Sequence, residues 1–346
     1  MLGIDRRTLN IAWTLFLFAL LLMVIHEIGR TLLIFALALT FAFLLAPVVN
    51  TLERTFHARM PRVVSLGVVY VGLTAAIVVT MIPLSSRISD EAAALASRLP
   101  DALKGDPLAN LPIPRWLEPW RPQVTQYIHA RLVDLGNAAG PMLSAASGHI
   151  LTGIGAALTA VLIPILGFFF LKDGALIRGA IVESFARPRQ PLINSLLLDL
   201  HLLLAQYIRA LVLLSLATFT SYSIFLATAG VAFPVLLAGV AALLEFIPAL
   251  GPFAAGFTIV IVCAVTGSPH VLIVVLFLIF YRLFQDYILS PYLMSQGIEL
   301  HPLLVLFGVL AGDQLGGIPG MFFSVPIMAA LRLILVRLRR THLDSR

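Results

Sequence analysis

Apolar runs of about twenty residues, the length a helix needs to cross a bilayer, recur along this chain and leave little choice of fold. They fall at residues 11–25, 31–50, 61–84, 149–171, 209–230 and 269–289. Soluble domains carry about 25% charged residues; here the figure is 12%, with 60% hydrophobic and a mean hydropathy of +1.00. A transmembrane barrel would instead show short alternating segments. The expected fold is therefore an all-α polytopic membrane protein with about six full spans.

The net charge of +6 does not make a phosphate-binding face. The basic residues cluster in short loops: Arg54, Arg59 and Arg62, then Lys172, Arg178, Arg187, Arg189 and Arg209, then Arg332, Arg337, Arg339, Arg340 and Arg346. Lys/Arg-rich short loops stay in the cytoplasm, which places both termini inside and residues 85–145 outside. Nucleic acid is not an expected partner; membrane lipid is. The single cysteine, Cys263, has no C-x-x-C or Cys/His spacing around it, so no metal or cofactor is expected. His26-Glu27 is followed by Ile28-Gly29-Arg30 rather than completing H-E-x-x-H, and no Walker A sequence occurs. An enzyme or an ATP-driven pump is not the expectation. The first span lacks a small-residue cleavage site and is expected to be retained.

Residues 234–252, PVLLAGVAALLEFIPALGP, stand out. One carboxylate, Glu245, interrupts an apolar stretch that is then broken by Pro248, Gly251 and Pro252. Residues 302–313, PLLVLFGVLAGD, repeat the pattern. In each a proline opens the stretch, a carboxylate falls eleven residues later, and helix breakers follow; in the second these are Gly317, Pro319 and Gly320. Each unit follows a full span. Counting crossings, the first unit begins and ends outside and the second begins and ends inside. The expectation is two broken, re-entrant helical hairpins in an inverted repeat, entering from opposite faces; the count is met equally if each hairpin crosses fully and its partner returns. Gly251 and Gly320 are expected to allow the bends.

Residues 85–145 differ from the rest, with six basic residues balanced by six acidic ones and many prolines. They read as a small extracytoplasmic helical subdomain of short helices. The organisation is then 1–84 (spans 1–3), 85–145 (subdomain), 146–207 (fourth span and a cytoplasmic amphipathic connection) and 208–346 (a transport core of two span-plus-hairpin units).

These residues carry a family resemblance. Glu245-Phe246-Ile247-Pro248-Ala249-Leu250-Gly251-Pro252 resembles the E-x-I-P-x-x-G-P signature of the AI-2E family, the autoinducer-2 exporter-like transporters. Phe169-Phe170-Leu171-Lys172-Asp173-Gly174, Gln206-Tyr207-Ile208-Arg209, Asp286, Pro291, Gly297, Leu300-His301-Pro302, Gly312, Gly317, Gly320 and Val325-Pro326 follow its pattern in order. Asp313 departs from it, the family more often having a small residue there. The resemblance implies an integral transporter of the prokaryotic inner (plasma) membrane, with export of autoinducer-2 or sodium/proton antiport as activities. It also implies a homo-oligomer.

Chemically, a carboxylate at membrane depth can alternate between protonated and ionised forms. Glu245 and Asp313 are thus the candidate coupling residues, approaching each other if both hairpin tips reach the midplane. Gln314 is placed to hydrogen-bond a polar ligand. Gln285, Asp286 and Arg282 cluster near the cytoplasmic end of span 269–289, with Arg282 and Asp286 at pairing distance along a helix. The leading reading is a secondary transporter exporting a small polar molecule on a proton or sodium gradient. The alternatives are a monovalent cation/proton antiporter and a non-transporting membrane scaffold.

Overall fold

The computed structural model describes residues 6–55, 62–104, 118–123, 125–126, 130, 154–294 and 300–344. Among these every regular element is helical: α1 (Arg6–Glu27), α2 (Gly29–Thr55), α3 (Arg62–Lys104), α4 (Ile154–Glu183), α5 (Gln190–Thr228), α6 (Pro234–Leu244), α7 (Leu250–Val265), α8 (Val271–Phe284), α9 (Ser290–Leu293) and α10 (Pro302–Asp344). A π-helical segment, Gln285–Leu289, joins α8 to α9.

Five stretches are long and apolar enough to cross a membrane: Thr31–Leu52, Val63–Arg98, Arg187–Thr228, Val271–Leu293 and Pro302–Arg337. The expected spans at 11–25 and 149–171 are helical where described, in α1 and α4, but are not among the five. Apolar side chains cover much of the outside: Phe16, Phe18, Val71, Ile82, Leu276, Phe280, Phe307 and Leu335 are all exposed. Side chains of this size seldom lie in contiguous exposed patches on a soluble monomer. Along spans of this length they are the surface that lipid or protein covers.

The subdomain boundary expected at 84/85 falls inside a continuous helix. At 43 residues α3 is about 64 Å long, roughly twice the hydrocarbon thickness. The chain therefore leaves the third span without a break. Most of the rest of 85–145, including residues 105–117 and 131–145, lies outside the described residues.

The main core is built where α5, α6, α7 and α8 meet. Tyr222, Leu226, Leu237, Ala238, Ala241, Ala255, Ile259, Cys263 and Val274 are buried in it. The alanines bring helix backbones close, the usual solution where helices pack without a hydrophobic driving force. Ser215 on α5 reinforces the contact by donating to the Ala242 carbonyl at 2.7 Å. A second cluster, with Ala42, Leu45, Val49, Leu66 and Leu171, joins α2, α3 and α4.

Two short helices form the first reversal. With 11 residues, α6 is about 16 Å long, and α7, with 16, about 24 Å. The second reversal lies inside α10, where Gly317 adopts φ 59°, ψ −143°. The arms on either side fold together: a Cβ on Gly312 would stand 2.4 Å from the Gly320 carbonyl oxygen, and one on Gly320 would stand 2.0 Å from that of Gly312. Gly308 faces Met328 and Ser324 further along the same pair of arms. The two arms of α10 are thus separate helices joined at Gly317, where the chain reverses.

Candidate functional site

Glu245 follows the last residue of α6. Its amide still bonds the Ala241 carbonyl at 3.1 Å, after which the helix tightens through Phe246 N–H to Leu243 and Ile247 N–H to Leu244. Pro248 has no N–H to continue. The reversal itself is made at Ala249, with φ 63° and ψ −52°, and the Leu250 amide donates to the Pro248 carbonyl at 2.7 Å across it. This is a tight γ-type turn of the positive-φ kind, which is rare and strained. The expected bend residue, Gly251, has no positive φ. Its role is clearance: a Cβ there would lie 1.7 Å from the Leu244 carbonyl oxygen. Gly320 likewise is a contact residue, and the second bend belongs to Gly317. Pro252 and Pro319 sit in the first turn of the returning arms, where proline is tolerated.

The two reversals share a register. Glu245 stands four residues before Ala249, and Asp313 four residues before Gly317. Their surroundings differ. Glu245 is 7% exposed, with each carboxylate oxygen held. Thr218 Oγ1 on α5 donates to Oε1 at 3.2 Å, and Gln285 Nε2 donates to Oε2 at 2.9 Å. Tyr281 Oη lies 3.2 Å from Thr218 Oγ1. Asp313 and Gln314 are exposed at the tip of the second hairpin, and neither is among the hydrogen-bonding neighbours of Glu245. The hairpins do touch beside the site, through the Phe246 and Phe322 rings at 5.7 Å.

Three elements thus converge on one carboxylate: the end of α6, the middle of α5 and the junction of α8 with the π-helical segment. Gln285 is the first residue of that segment and is 2% exposed. A π-turn offsets the residues after it from the face they would occupy in a regular α-helix, and such turns are frequent at functional sites. Arg282 and Asp286, expected to pair, lie 2.9 Å apart and remain partly exposed. Aromatic packing joins α5 to α8 along the same interface: Tyr222 meets Tyr281 edge-on at 5.0 Å, and Phe225 stacks on Phe277 at 3.7 Å.

Thr218 and Tyr281 escaped sequence reasoning. Tyr281 belongs to no motif read in the sequence. Thr218 had one signal, a polar cluster of Thr218, Thr220, Ser221, Tyr222 and Ser223 inside an otherwise apolar span. A further contact was not foreseen. Glu91 Oε2, on the extension of α3, accepts the Leu236 amide at 2.8 Å. α6 has no capping side chain of its own, its N-cap being Phe233 with φ 61°. Glu91 thus satisfies one of the orphan donors at that helix start. Leu95 packs into the same core, and the Arg98 guanidinium sits 5.7 Å from the Phe233 ring centre.

No group of three or more His, Cys, Asp or Glu side chains is placed to hold a metal among the described residues.

The family described as AI-2E family transporter matches residues 15–340. The chain is 26% identical over 359 aligned positions to "Putative transport protein YueF" of Bacillus subtilis (strain 168), covering 96% of this chain and 95% of that one. It is 27% identical to "Putative transport protein YrrI" of the same organism over 188 positions, 54% of this chain and about half (53%) of the length of YrrI. "Putative transport protein MT0215" of Mycobacterium tuberculosis (strain CDC 1551 / Oshkosh) is 28% identical over 208 positions, 60% of this chain and 57% of that one.

Proposed function

The chain belongs to the AI-2E transporter family, and from that premise we propose that it is a secondary transporter in which Glu245 is the coupling residue. The transporter resides in the prokaryotic inner (plasma) membrane with both termini cytoplasmic, and exports a small polar molecule of the autoinducer-2 kind on a proton or sodium gradient. The observation that carries this reading is the burial of Glu245 at a broken helix end, with Thr218 and Gln285 each holding one carboxylate oxygen. Intramembrane ionisable groups are costly and mark ion or substrate paths.

The length of α6 supports a re-entrant hairpin. A helix of about 16 Å does not cross about 30 Å of hydrocarbon, so α6 and α7 enter and leave by the outer face, and the arms of α10 do so by the inner one. Broken backbone at that depth is tolerable where protein or a water-filled cavity surrounds it. Both reversals lie beside the Phe246–Phe322 contact, in keeping with a site where opposed repeats meet. Lipid and further copies of the chain cover the remaining apolar surface. Asp313 and Gln314, at the second tip, contact the cargo or a neighbouring copy rather than Glu245.

Reconstitution in proteoliposomes with imposed pH and sodium gradients tests the reading, using autoinducer-2 as trial cargo and a pH-sensitive dye in the lumen. Gradient-dependent flux is expected in the parent and a loss of at least about tenfold in Glu245→Gln. Equal flux in both would remove Glu245 from the mechanism. Ion-gradient dissipation without organic cargo would select the cation/proton antiporter, a reading favoured by a site that centres on one carboxylate.

A further inference from the structure

Resting on Glu245 as the coupling residue, we infer that its coupling ion is the proton, and that the Tyr281 and Thr218 hydroxyls form the path by which the proton reaches it. The hydrogen bonds around the carboxylate have a direction. Thr218 has one hydroxyl hydrogen and gives it to Glu245 Oε1. The 3.2 Å contact between Thr218 Oγ1 and Tyr281 Oη must then be donated by Tyr281. Donation runs Tyr281 to Thr218 to Glu245, the order a chain takes when its end is an ionised acceptor. Ser221, one turn along α5 and only partly buried, is near enough to act on the Tyr281 hydroxyl and marks the outer end.

Such a chain moves a charge without moving an atom far. A hydrated proton arriving at the Ser221 end protonates Tyr281 Oη, whose own hydrogen passes to Thr218 Oγ1, whose own passes to Glu245 Oε1. Each hydroxyl oxygen breaks one O–H bond and forms one. The chain ends with a neutral Glu245, intact hydroxyls and every hydrogen bond reversed; no electron changes hands. Running the same steps backward returns the proton to the Ser221 end and restores the original order. Release from Glu245 to the opposite side of the membrane leaves the hydroxyls reversed, and their rotation then resets the chain.

A sodium ion fits the same groups poorly. It would need oxygen lone pairs converging on one point, whereas the Thr218 hydroxyl and the Gln285 amide both present hydrogens to the carboxylate. Among the described residues, the other titratable or charged groups that face Glu245 are Tyr222 on α5, Tyr281 and Arg282 on α8 and Asp286 on the π-helical segment. Arg282 pairs with Asp286 and still acts on Glu245 as an opposite charge, but among the described residues it makes no ion pair with Glu245 itself. No titratable group of α6, α7 or α10 acts on Glu245 among the described residues, and the Phe246 and Phe322 rings meet beside the site.

Infrared difference spectroscopy of the full chain in lipid vesicles reads the protonation directly, through the carboxylic-acid C=O band that appears on acidification and is absent in Glu245→Gln. The band is expected to titrate with a midpoint that sodium does not move. After a rapid pH drop, its rise is expected to slow at least tenfold in Thr218→Val and in Tyr281→Phe, with Thr218→Ser returning it toward the parent rate. Tyr281→Phe keeps the ring packing on Tyr222 and Phe277, so it tests the path even if Thr218→Val does not fold. A saturable shift of the midpoint with sodium would overturn the proton assignment, and parent-like rates in both variants would overturn the path. Either result can coexist with flux loss in Glu245→Gln, which would leave the proposed function standing; parent-like flux in Glu245→Gln overturns that function instead.

Discussion

At the scale of single residues, the tightest constraint is at the first hairpin tip. Gly251 is irreplaceable on geometric grounds, because any Cβ would overlap the Leu244 carbonyl, whereas Gly239 and Gly256 meet neighbours only at 3.9 and 4.0 Å. Gly251→Ala is expected to prevent the hairpin from closing, read as loss of folded protein in size-exclusion chromatography, while Gly239→Ala folds normally. Ala249 is the opposite case. It holds a positive φ that costs an L-residue about 1–2 kcal/mol. Ala249→Gly removes that cost against an unfolded-state penalty of about 0.5–1 kcal/mol. A thermal midpoint at or slightly above the parent's is expected, and a clear drop would show that the Ala249 methyl has a packing role. Glu245, Pro248, Gly251 and Pro252 were legible in the sequence because a charge and three breakers stand out in an apolar run. Thr218 and Tyr281 were not, since one hydroxyl on a span looks the same whether it faces lipid or a carboxylate.

At the scale of elements, α3 and α6 form a unit that crosses the supposed subdomain boundary. The carboxylate of Glu91 is the acceptor that the start of α6 lacks, and Leu95 and Arg98 extend the contact by one and two turns. Loss of a helix cap costs about 0.5–2 kcal/mol. Glu91→Leu is therefore expected to raise amide hydrogen exchange over residues 234–240 by about tenfold, while Glu91→Gln, which keeps an acceptor oxygen, stays near the parent. Unchanged exchange in Glu91→Leu would mean that packing alone holds α6. The prolines of residues 85–145 predict short helices after residue 84. Through residue 104 the chain stays helical instead, because Glu91 and Leu95 gain partners on α6 and in its core that local propensity does not register.

At the scale of the molecule, the second hairpin is tied down at its far end. Arg337 on α10 pairs with Asp199 on α5, both partly exposed. A pair of that exposure is worth within about 1 kcal/mol, so it sets register more than stability. Asp199→Arg is expected to lower the thermal midpoint slightly, and adding Arg337→Asp to restore it. Topology is testable with the chain's own chemistry. Cys263, the single cysteine, is fully buried, and the parent is expected not to react with a membrane-impermeant maleimide in intact cells. A cysteine introduced at His270, exposed at the start of α8, is expected to label from outside. One introduced at Arg339, exposed near the end of α10, is expected to label only after the membrane is opened. Labelling of Arg339→Cys in intact cells would reverse the proposed orientation of the C-terminal arm and, with it, the opposition of the two hairpins.

The sequence by itself determined that this chain is helical and belongs in a membrane, because apolar length and charge placement are properties of the chain read along its length. It also marked both reversals, since proline and glycine act on the backbone wherever they stand. Only the tertiary structure decided what each carboxylate became. Glu245 and Asp313 occupy the same place in their repeats, four residues before a positive-φ turn. One is enclosed by α5 and α8 and shares its oxygens with Thr218 and Gln285; the other is exposed at its hairpin tip. That difference comes from which helices pack around each hairpin, and packing joins residues 27 and 40 positions from Glu245 that no local pattern connects.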